Sequence, residues 1–291
     1  MRFHLLSLLA AGCGLFTNVD GRAEVRVVGT DLLGVEFSKA LYDCAGRSRM
    51  SLALAFDGSR PGLDRLKSGQ ADLAMILLPA GEEHAAAGFE SVVVAYQCVV
   101  VLVAPGCPLE RITLEQLAAI FGTEGPARGI RWSELGVDGE SGAGLIMPSL
   151  PEVGTSLTSE YFRQVVLRRG VVRPGIGRYR LRAELASLFA GESRVLAIAP
   201  TPPGPNVAKV VAVAMNAKRA AFLPTCENVH AGDYGLRMPM RLVFRREART
   251  ALRPLLRFLQ GDEAATPFAA AGMVPLPPAV RAERMLALDK S

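Results

Sequence analysis

The sequence predicts an α/β protein with a parallel sheet covered by helices, and three observations point there. Short apolar segments change period in turn: residues 24–29 alternate as a strand, 32–41 follow a helical repeat, 50–56 alternate again, 63–68 form a short helix and 72–78 a third strand. That strand–helix–strand–helix–strand order suits a parallel sheet, whose crossovers are usually helical, and the uninterrupted apolar run of the third strand suits burial on both faces. Finally, half of the 291 residues are apolar and 21% are charged, which allows a core and excludes a disordered chain.

The punctuation supports each element in order. Gly29 closes the first strand, and Thr30 or Asp31 caps the helix that sets Leu32, Leu33, Val35, Phe37, Ala40 and Leu41 at helical spacing. Gly46 stops that helix, residues 57–62 read as a turn, Gly69 ends the second helix and Pro79 the third strand. Residues 92–103 are an apolar run interrupted at Tyr96-Gln97, long enough for a strand that passes from one domain to another. Past Pro105 and Pro108, Thr113 and Gln116 form a capping box for a helix that runs to Phe121 and ends at Gly122. Residues 132–136 read as a polar loop around Trp132, and 145–147 as a short strand. Helices are expected over 157–168 and 181–189, and strands over 195–199 and 207–215, around a Pro/Gly loop at 200–205. Residues 241–244 make a further strand. The helix over 248–259 turns Leu252, Leu255, Leu256 and Leu259 inward and sets Arg245, Arg249, Arg253 and Arg257 on a solvated face.

The first residues read as an export signal. Arg2 supplies the positive start, residues 5–16 are uncharged and mostly apolar, and Gly21-Arg22-Ala23 offers small residues for cleavage before Glu24. Twelve residues are too few for a membrane-spanning helix, which needs about 20. Cleavage removes Arg2, Arg22 and Asp20 and leaves 268 residues with a net charge of +4. Leu9-Ala10-Ala11-Gly12-Cys13 is a second option, a weak lipobox that makes Cys13 a lipid-anchored N-terminus. The four remaining cysteines, Cys44, Cys98, Cys107 and Cys226, allow up to two disulfides in any of three pairings, and Cys98 lies in an apolar run that suits a core thiol.

The whole chain's net charge of +5 does not mark a nucleic-acid binder. Three His leave little for a histidine-built metal site, and neither metal nor cofactor is expected. His84 and His230 fall in polar loops without a nucleophile, and Ser133 and Ser159 lack a nucleophile elbow. No catalytic residue is expected, and the chain is not read as an enzyme.

Three turns share one design. Gly29-Thr30-Asp31, Gly58-Ser59-Arg60 and Gly154-Thr155-Ser156 each join Gly to a hydroxyl between a strand and a helix. Gly lets a ligand approach the backbone, the hydroxyl donates a hydrogen bond, and a helix N-terminus offers unpaired N–H groups. In an open α/β sheet such turns gather at the carboxyl ends of the strands, where ligands bind. The candidate ligand residues are therefore Thr30, Asp31, Gly58, Ser59, Arg60, Gly154, Thr155 and Ser156.

Several stretches resemble the substrate-binding proteins of phosphate-type ABC transporters. They are Val27-Val-Gly-Thr30, Gly58-Ser59 with Leu66-Lys-Ser-Gly69-Gln-Ala-Asp72-Leu-Ala, and Val94-Ala-Tyr96 to Val103-Ala-Pro105. Leu114 to Phe121 with Trp132-Ser-Glu-Leu-Gly136, Gly154-Thr155 to Val166-Leu167, and Leu236-Arg-Met-Pro239-Met-Arg-Leu-Val-Phe244 extend the likeness over residues 25–275. The resemblance implies a type II periplasmic-binding-protein-like fold: two lobes, each a mixed sheet flanked by helices, joined by two crossover strands and closing by a hinge. Lobe 1 is then residues 24–98 plus 225–291, lobe 2 residues 99–224, and the leader 1–23. It also implies an exported, monomeric periplasmic protein that hands a small oxyanion to an ABC permease. In that family the oxyanion is held by backbone N–H groups, hydroxyls and an Arg, and an Asp accepts a hydrogen bond from protonated phosphate. Here the Arg position falls on Ser149 and the Asp position on Leu77; Val153 replaces a Ser, and Gln97 follows Tyr96 where Asp is usual. Those departures favour an alternative, an accessory or interaction protein that keeps the lobes without the ligand site.

Overall fold

Two sheets organise the protein in a computed structural model that describes residues 24–78, 87–152, 156–180 and 182–290. The leader with Cys13, as well as His84, Val153, Gly154 and Thr155, lies outside the described residues. The chain begins with β1 (Glu24–Gly29), α1 (Gly34–Arg47), β2 (Ser51–Ala55), α2 (Ser59–Lys67), β3 (Leu73–Leu77) and β4 (Phe89–Cys98). It continues through β5 (Val100–Val103), β6 (Arg111–Thr113), α3 (Leu114–Phe121), α4 (Glu140–Ala143), β7 (Met147–Pro151), α5 (Leu157–Val165), β8 (Gly177–Tyr179), α6 (Arg182–Gly191), β9 (Val195–Ala199), β10 (Lys209–Ala214) and β11 (Ala221–Phe222). After α7 (Cys226–Ala231) it returns along β12 (Arg237–Arg245) and ends with α8 (Arg249–Gln260), α9 (Ala265–Ala270), β13 (Val274–Pro275) and α10 (Pro278–Lys290).

The first sheet has the order β13-β4-β12-β3-β1-β2, and the second β11-β10-β5-β9-β7-β8 with β6 beside β10. Strands β1, β2 and β3 run parallel, as do β7, β8 and β9. The central strands β3 and β9 are buried along their whole length, which is why Leu73–Leu77 and Val195–Ala199 carry apolar residues without alternation. Strand β12 enters antiparallel between β3 and β4. The sheets are therefore mixed, as expected.

The expected single strand over 92–103 is two strands. β4 belongs to the first sheet and β5 to the second, with Val99 between them. Val99 donates its N–H to the Leu236 carbonyl at 2.9 Å and accepts the Tyr234 hydroxyl at 2.7 Å, so the switch leaves no buried backbone group of Val99 unpaired. The Gln97 amide spans the same junction, donating to the Cys98 carbonyl at 3.2 Å and the Pro200 carbonyl at 2.8 Å.

Other boundaries move for local reasons. α2 begins at Ser59 rather than within 63–68, because Pro61 sits in the first turn, where its missing N–H has no partner to lose. The strand expected at 145–147 runs instead over Met147–Pro151 and carries both Pro148 and Pro151; Leu145 makes only an isolated bridge with Arg131. α5 stops at Val165, short of Arg168 (φ 49°) and Arg169 (φ 67°), whose left-handed backbone ends any helix. The segment around Trp132 is a 3-10 turn that buries the indole, with Glu134 held by Arg128 and by the Arg131 N–H. Those contacts draw the Glu134 carboxyl down to about 2. The capping box of Thr113 and Gln116 is present in both directions.

α8 buries Leu252, Leu255, Leu256 and Leu259, but its arginine row is not simply solvated. Arg249 reaches Glu90 at 2.7 Å, Arg253 donates to the Leu288 carbonyl at 2.8 Å, and Arg257 pairs with Asp289. Arg245 donates to the Lys67 carbonyl at 3.0 Å, at the C-terminus of α2. The row thus fastens α10 and α2 to the first sheet. Cys44, Cys98, Cys107 and Cys226 are free thiols, with Cys44 and Cys98 buried, and burial pushes the Cys98 thiol up to about 12. No helix among the described residues is long and apolar enough to cross a membrane.

Gly29 (φ 147°) ends β1 with no room for a side chain: a Cβ there would lie 2.0 Å from the Met75 carbonyl oxygen. Gly29→Ala is expected to lower the unfolding free energy by about 1–3 kcal/mol or more, since it adds a strained backbone to a clash with a paired strand. Urea unfolding followed by circular dichroism measures it.

Candidate ligand cleft

The two sheets meet at a cavity of about 750 Å³. On the side of the second sheet, it is walled by residues at the carboxyl ends of three parallel strands: Pro151 ending β7 and Glu152 after it, Tyr179 ending β8 and Arg180 after it, and Pro200 and Thr201 after β9. Ser156, Leu157 and Thr158 at the start of α5, together with Leu185 of α6, complete that wall. The first sheet contributes Leu32, which follows β1, and residues 270–272 between α9 and β13; Gln97 lines the junction. Gly272 (φ 77°) lets the two sides approach, since a Cβ there would lie 2.4 Å from Thr201 Cγ2.

Two of the three predicted turns come together at the carboxyl edge of the first sheet. The Gly58 N–H donates to the Gly29 carbonyl at 2.8 Å, and the Thr30 N–H to the Met75 carbonyl at 2.9 Å. Ser59 Oγ accepts the Leu77 N–H at 2.9 Å, which still leaves its proton to donate. Thr30 is buried, and its Oγ1 accepts the Leu32 N–H at 3.4 Å, as the cap of a 3-10 turn over Asp31–Leu33. Asp31 and Arg60 are exposed, Arg60 in the first turn of α2. Of the third turn, Ser156 is described and lines the cavity as the N-cap of α5, without a side-chain capping bond. Thr30, Asp31, Gly58, Ser59 and Arg60 stand beside the cavity wall near Leu32 in sequence or through these bonds, but are not among its lining residues. The positions expected to carry Arg and Asp are both buried in strands: Ser149 in β7, its Oγ over Gly177, and Leu77 in β3.

Sequence reading missed the charged pair in the cleft. Arg180 grips Glu152 with two donors, Nε to Oε2 and Nη2 to Oε1, the latter at 3.1 Å. The Arg180 N–H also donates to Glu184 at 2.7 Å. The Arg180 hydrogen bond, with the positive charge of Arg180 and of Arg178, holds the Glu152 carboxyl below the ordinary carboxylate range. The missed signal is Gly177-Arg178-Tyr179-Arg180, a short strand running into a helix. Beneath the pair, the Tyr179 hydroxyl donates to the buried Ile198 carbonyl, and burial pushes its phenol up.

The junction behind the cleft is tied by side chains. The Tyr161 hydroxyl of α5 donates to the Arg237 carbonyl of β12, linking the second sheet's layer to the first. His230 is on α7 rather than in a loop, its Nδ1 3.3 Å from the Tyr96 hydroxyl. Burial, then the positive charges of Arg284 and Arg237, push the His230 pKa down and favour the neutral ring. Among the described residues no cluster of His, Cys, Asp and Glu is arranged to hold a metal ion.

The same architecture recurs in solved structures. An ABC-type phosphate transport receptor from Vibrio cholerae superposes with a TM-score of 0.67 at 18% identity, covering 87% of this chain and 100% of that one. The chain has the two-lobe, type II periplasmic-binding-protein-like fold. PstS from Borrelia burgdorferi gives a TM-score of 0.71 at 14% identity over 87% of this chain and 99% of that one. A possible phosphate binding protein from Planctomyces limnophilus gives 0.68 at 17% identity over 92% and 97%. No family model and no curated protein matches the sequence. In this type II fold, the cavity lies where the two sheets face each other.

Ser59 already holds a backbone N–H of β3, so its replacement is expected to cost stability with or without a ligand. Ser59→Ala leaves the Leu77 N–H unpaired and should lower the unfolding free energy by about 1–3 kcal/mol. Thermal and urea unfolding of the ligand-free chain read this directly.

Proposed function

We propose that the chain is an exported solute-binding protein that closes on a small oxyanion, phosphate or phosphate-like, and serves an ABC-type uptake system as a monomer. One observation carries this reading: three parallel strands of one sheet end at a single cavity, and the segment following β1 of the other sheet faces them. Open α/β sheets bind ligands at such strand ends. The two closing bodies are residues 24–98 with 225–291, and residues 99–224. Thr30, Ser59 and Ser156 supply hydroxyls, and Gly58, Gly154 and Thr155 supply backbone donors. Asp31 and Arg60 flank the first two turns. The solved neighbours described as phosphate transport receptors or phosphate binding proteins support this reading of the cleft. Export follows from the leader, by cleavage before Glu24 or through a lipid at Cys13. Nothing in this reading needs catalysis.

A second reading is favoured by a specific observation. The expected Arg and Asp positions are Ser149 and Leu77, both packed inside strands, so a ligand in the cleft meets neither charge. A charge-assisted contact is worth roughly twice a neutral one, and a buried anion without it binds weakly. On that reading the lobes serve as an accessory or interaction scaffold.

Calorimetric titration of the purified chain, unfolded and refolded to remove any carried ligand, separates the two. Saturable heat with phosphate and none with sulfate is the expected outcome for the transport reading. No heat with either anion removes bare phosphate as the ligand, and no heat with any small oxyanion leaves the scaffold reading.

A further inference from the structure

The cleft carries charges that nearly cancel. Among its lining residues Arg180 is matched by Glu152, whose carboxylate already takes two of the guanidinium N–H donors. A bare phosphate dianion entering here finds no excess of positive charge to replace its hydration, and burying such an anion without compensation is costly. The rest of the wall mixes a few polar groups, among them Gln97, Ser156 and Thr201, with a larger apolar share. Leu32 is 38% exposed and Leu157 is partly exposed, both at the cavity, with Leu185, Pro151, Pro200 and Ala271 beside them. At about 750 Å³, the cavity is within the range of roughly 300–1,000 Å³ typical of organic ligands. An exposed leucine opposite another across a cleft gains by contact with an apolar group, and loses nothing by leaving water.

The geometry points to an organic oxyanion as the ligand: a carboxylate or phosphate monoester whose head group replaces Glu152 on the Arg180 fork while its apolar body lies against Leu32, Leu157 and Leu185. This rests on the cleft being the solute site. A planar guanidinium suits either head, because it offers two parallel N–H donors to a carboxylate or a phosphate. Glu152 then acts as a stand-in for the ligand's head group, keeping Arg180 extended at the end of β8 while the cleft is empty. The Arg180 N–H bond to Glu184 fixes the backbone from which the side chain projects, so the fork survives the exchange. The missing cation of β7 is thus supplied from β8, one strand over in the same sheet.

The test is binding of phenyl phosphate, benzoate and inorganic phosphate to the purified chain, by calorimetry, in wild type, Arg180→Met and Glu152→Gln. The expected result is that the better of the two aromatic anions binds at least tenfold more tightly than inorganic phosphate. Arg180→Met should weaken it at least tenfold with an unchanged melting temperature. Glu152→Gln should tighten it several-fold by removing the competing carboxylate, a gain that misfolding cannot produce. Inorganic phosphate binding as tightly as either aromatic anion, or aromatic binding indifferent to both substitutions, overturns the inference and leaves the proposed function standing. Aromatic binding with no response to inorganic phosphate upholds the inference and removes bare phosphate as the ligand. Silence of all three anions overturns both.

Discussion

Val99 is where one protein becomes two layers. The chain leaves the first sheet at Cys98 and joins the second at Val100, and the residue between has its N–H and carbonyl bonded to Leu236 and Tyr234. Because those groups are buried, the switch is possible only if both are paired there. The returning strand β12 begins beside the same point, Arg237 opposite Cys98, so both connections between the sheets pass through one hydrogen-bonded knot. Everything functional is hung from it. With the two sheets joined at this edge, the free ends of their parallel strands face a shared space, and Gln97 and Tyr161 bind that space to the junction.

A junction of this kind fixes where the cleft lies but leaves open how far it closes. Tyr161 belongs to the helix whose first residues line the cavity, and its hydroxyl holds the backbone of β12. A ligand that orders Ser156 and Leu157 therefore acts on the same rigid element that grips the junction. His230 and Tyr96 pack behind it, with Arg237 over the Tyr96 ring at 5.0 Å, so the neutral imidazole sits among cations and adds no further positive charge.

The scaffold was legible in the sequence because backbone pairing leaves strong marks. Uninterrupted apolar runs gave β3 and β9, and Thr113 with Gln116 gave the start of α3 to the residue. Elements that defy a local rule were read less well. β7 carries Pro148 and Pro151, which argue against a strand interior, yet it pairs with β8 and β9. The arginine row of α8 looks solvated from one helix alone, and only the fold of α10 back onto it supplies Asp289 and the Leu288 carbonyl. The site was legible only in part. Gly with a hydroxyl after a strand correctly marked turns at strand ends, and two of these do meet, through Gly58 N–H on the Gly29 carbonyl. Arg180 escaped because its partner Glu152 is 28 residues away, and no spacing along one element joins them.

The contrast between scaffold and site has a physical origin. A residue within a strand, such as Leu77 or Ser149, must pair its backbone and fit its side chain against neighbours in the sheet, so its chemistry is set by packing. A residue one step beyond the strand end is released from the ladder, and its side chain faces solvent or the cleft. Glu152 and Arg180 occupy that step, after β7 and β8, and Thr201 stands two residues past β9. A charge can therefore move from one strand end to the next without disturbing a single ladder hydrogen bond. In this chain the cation at the cleft stands after β8, paired side chain to side chain with the carboxylate after β7, and the pairing draws on no hydrogen bond of the sheet's ladder.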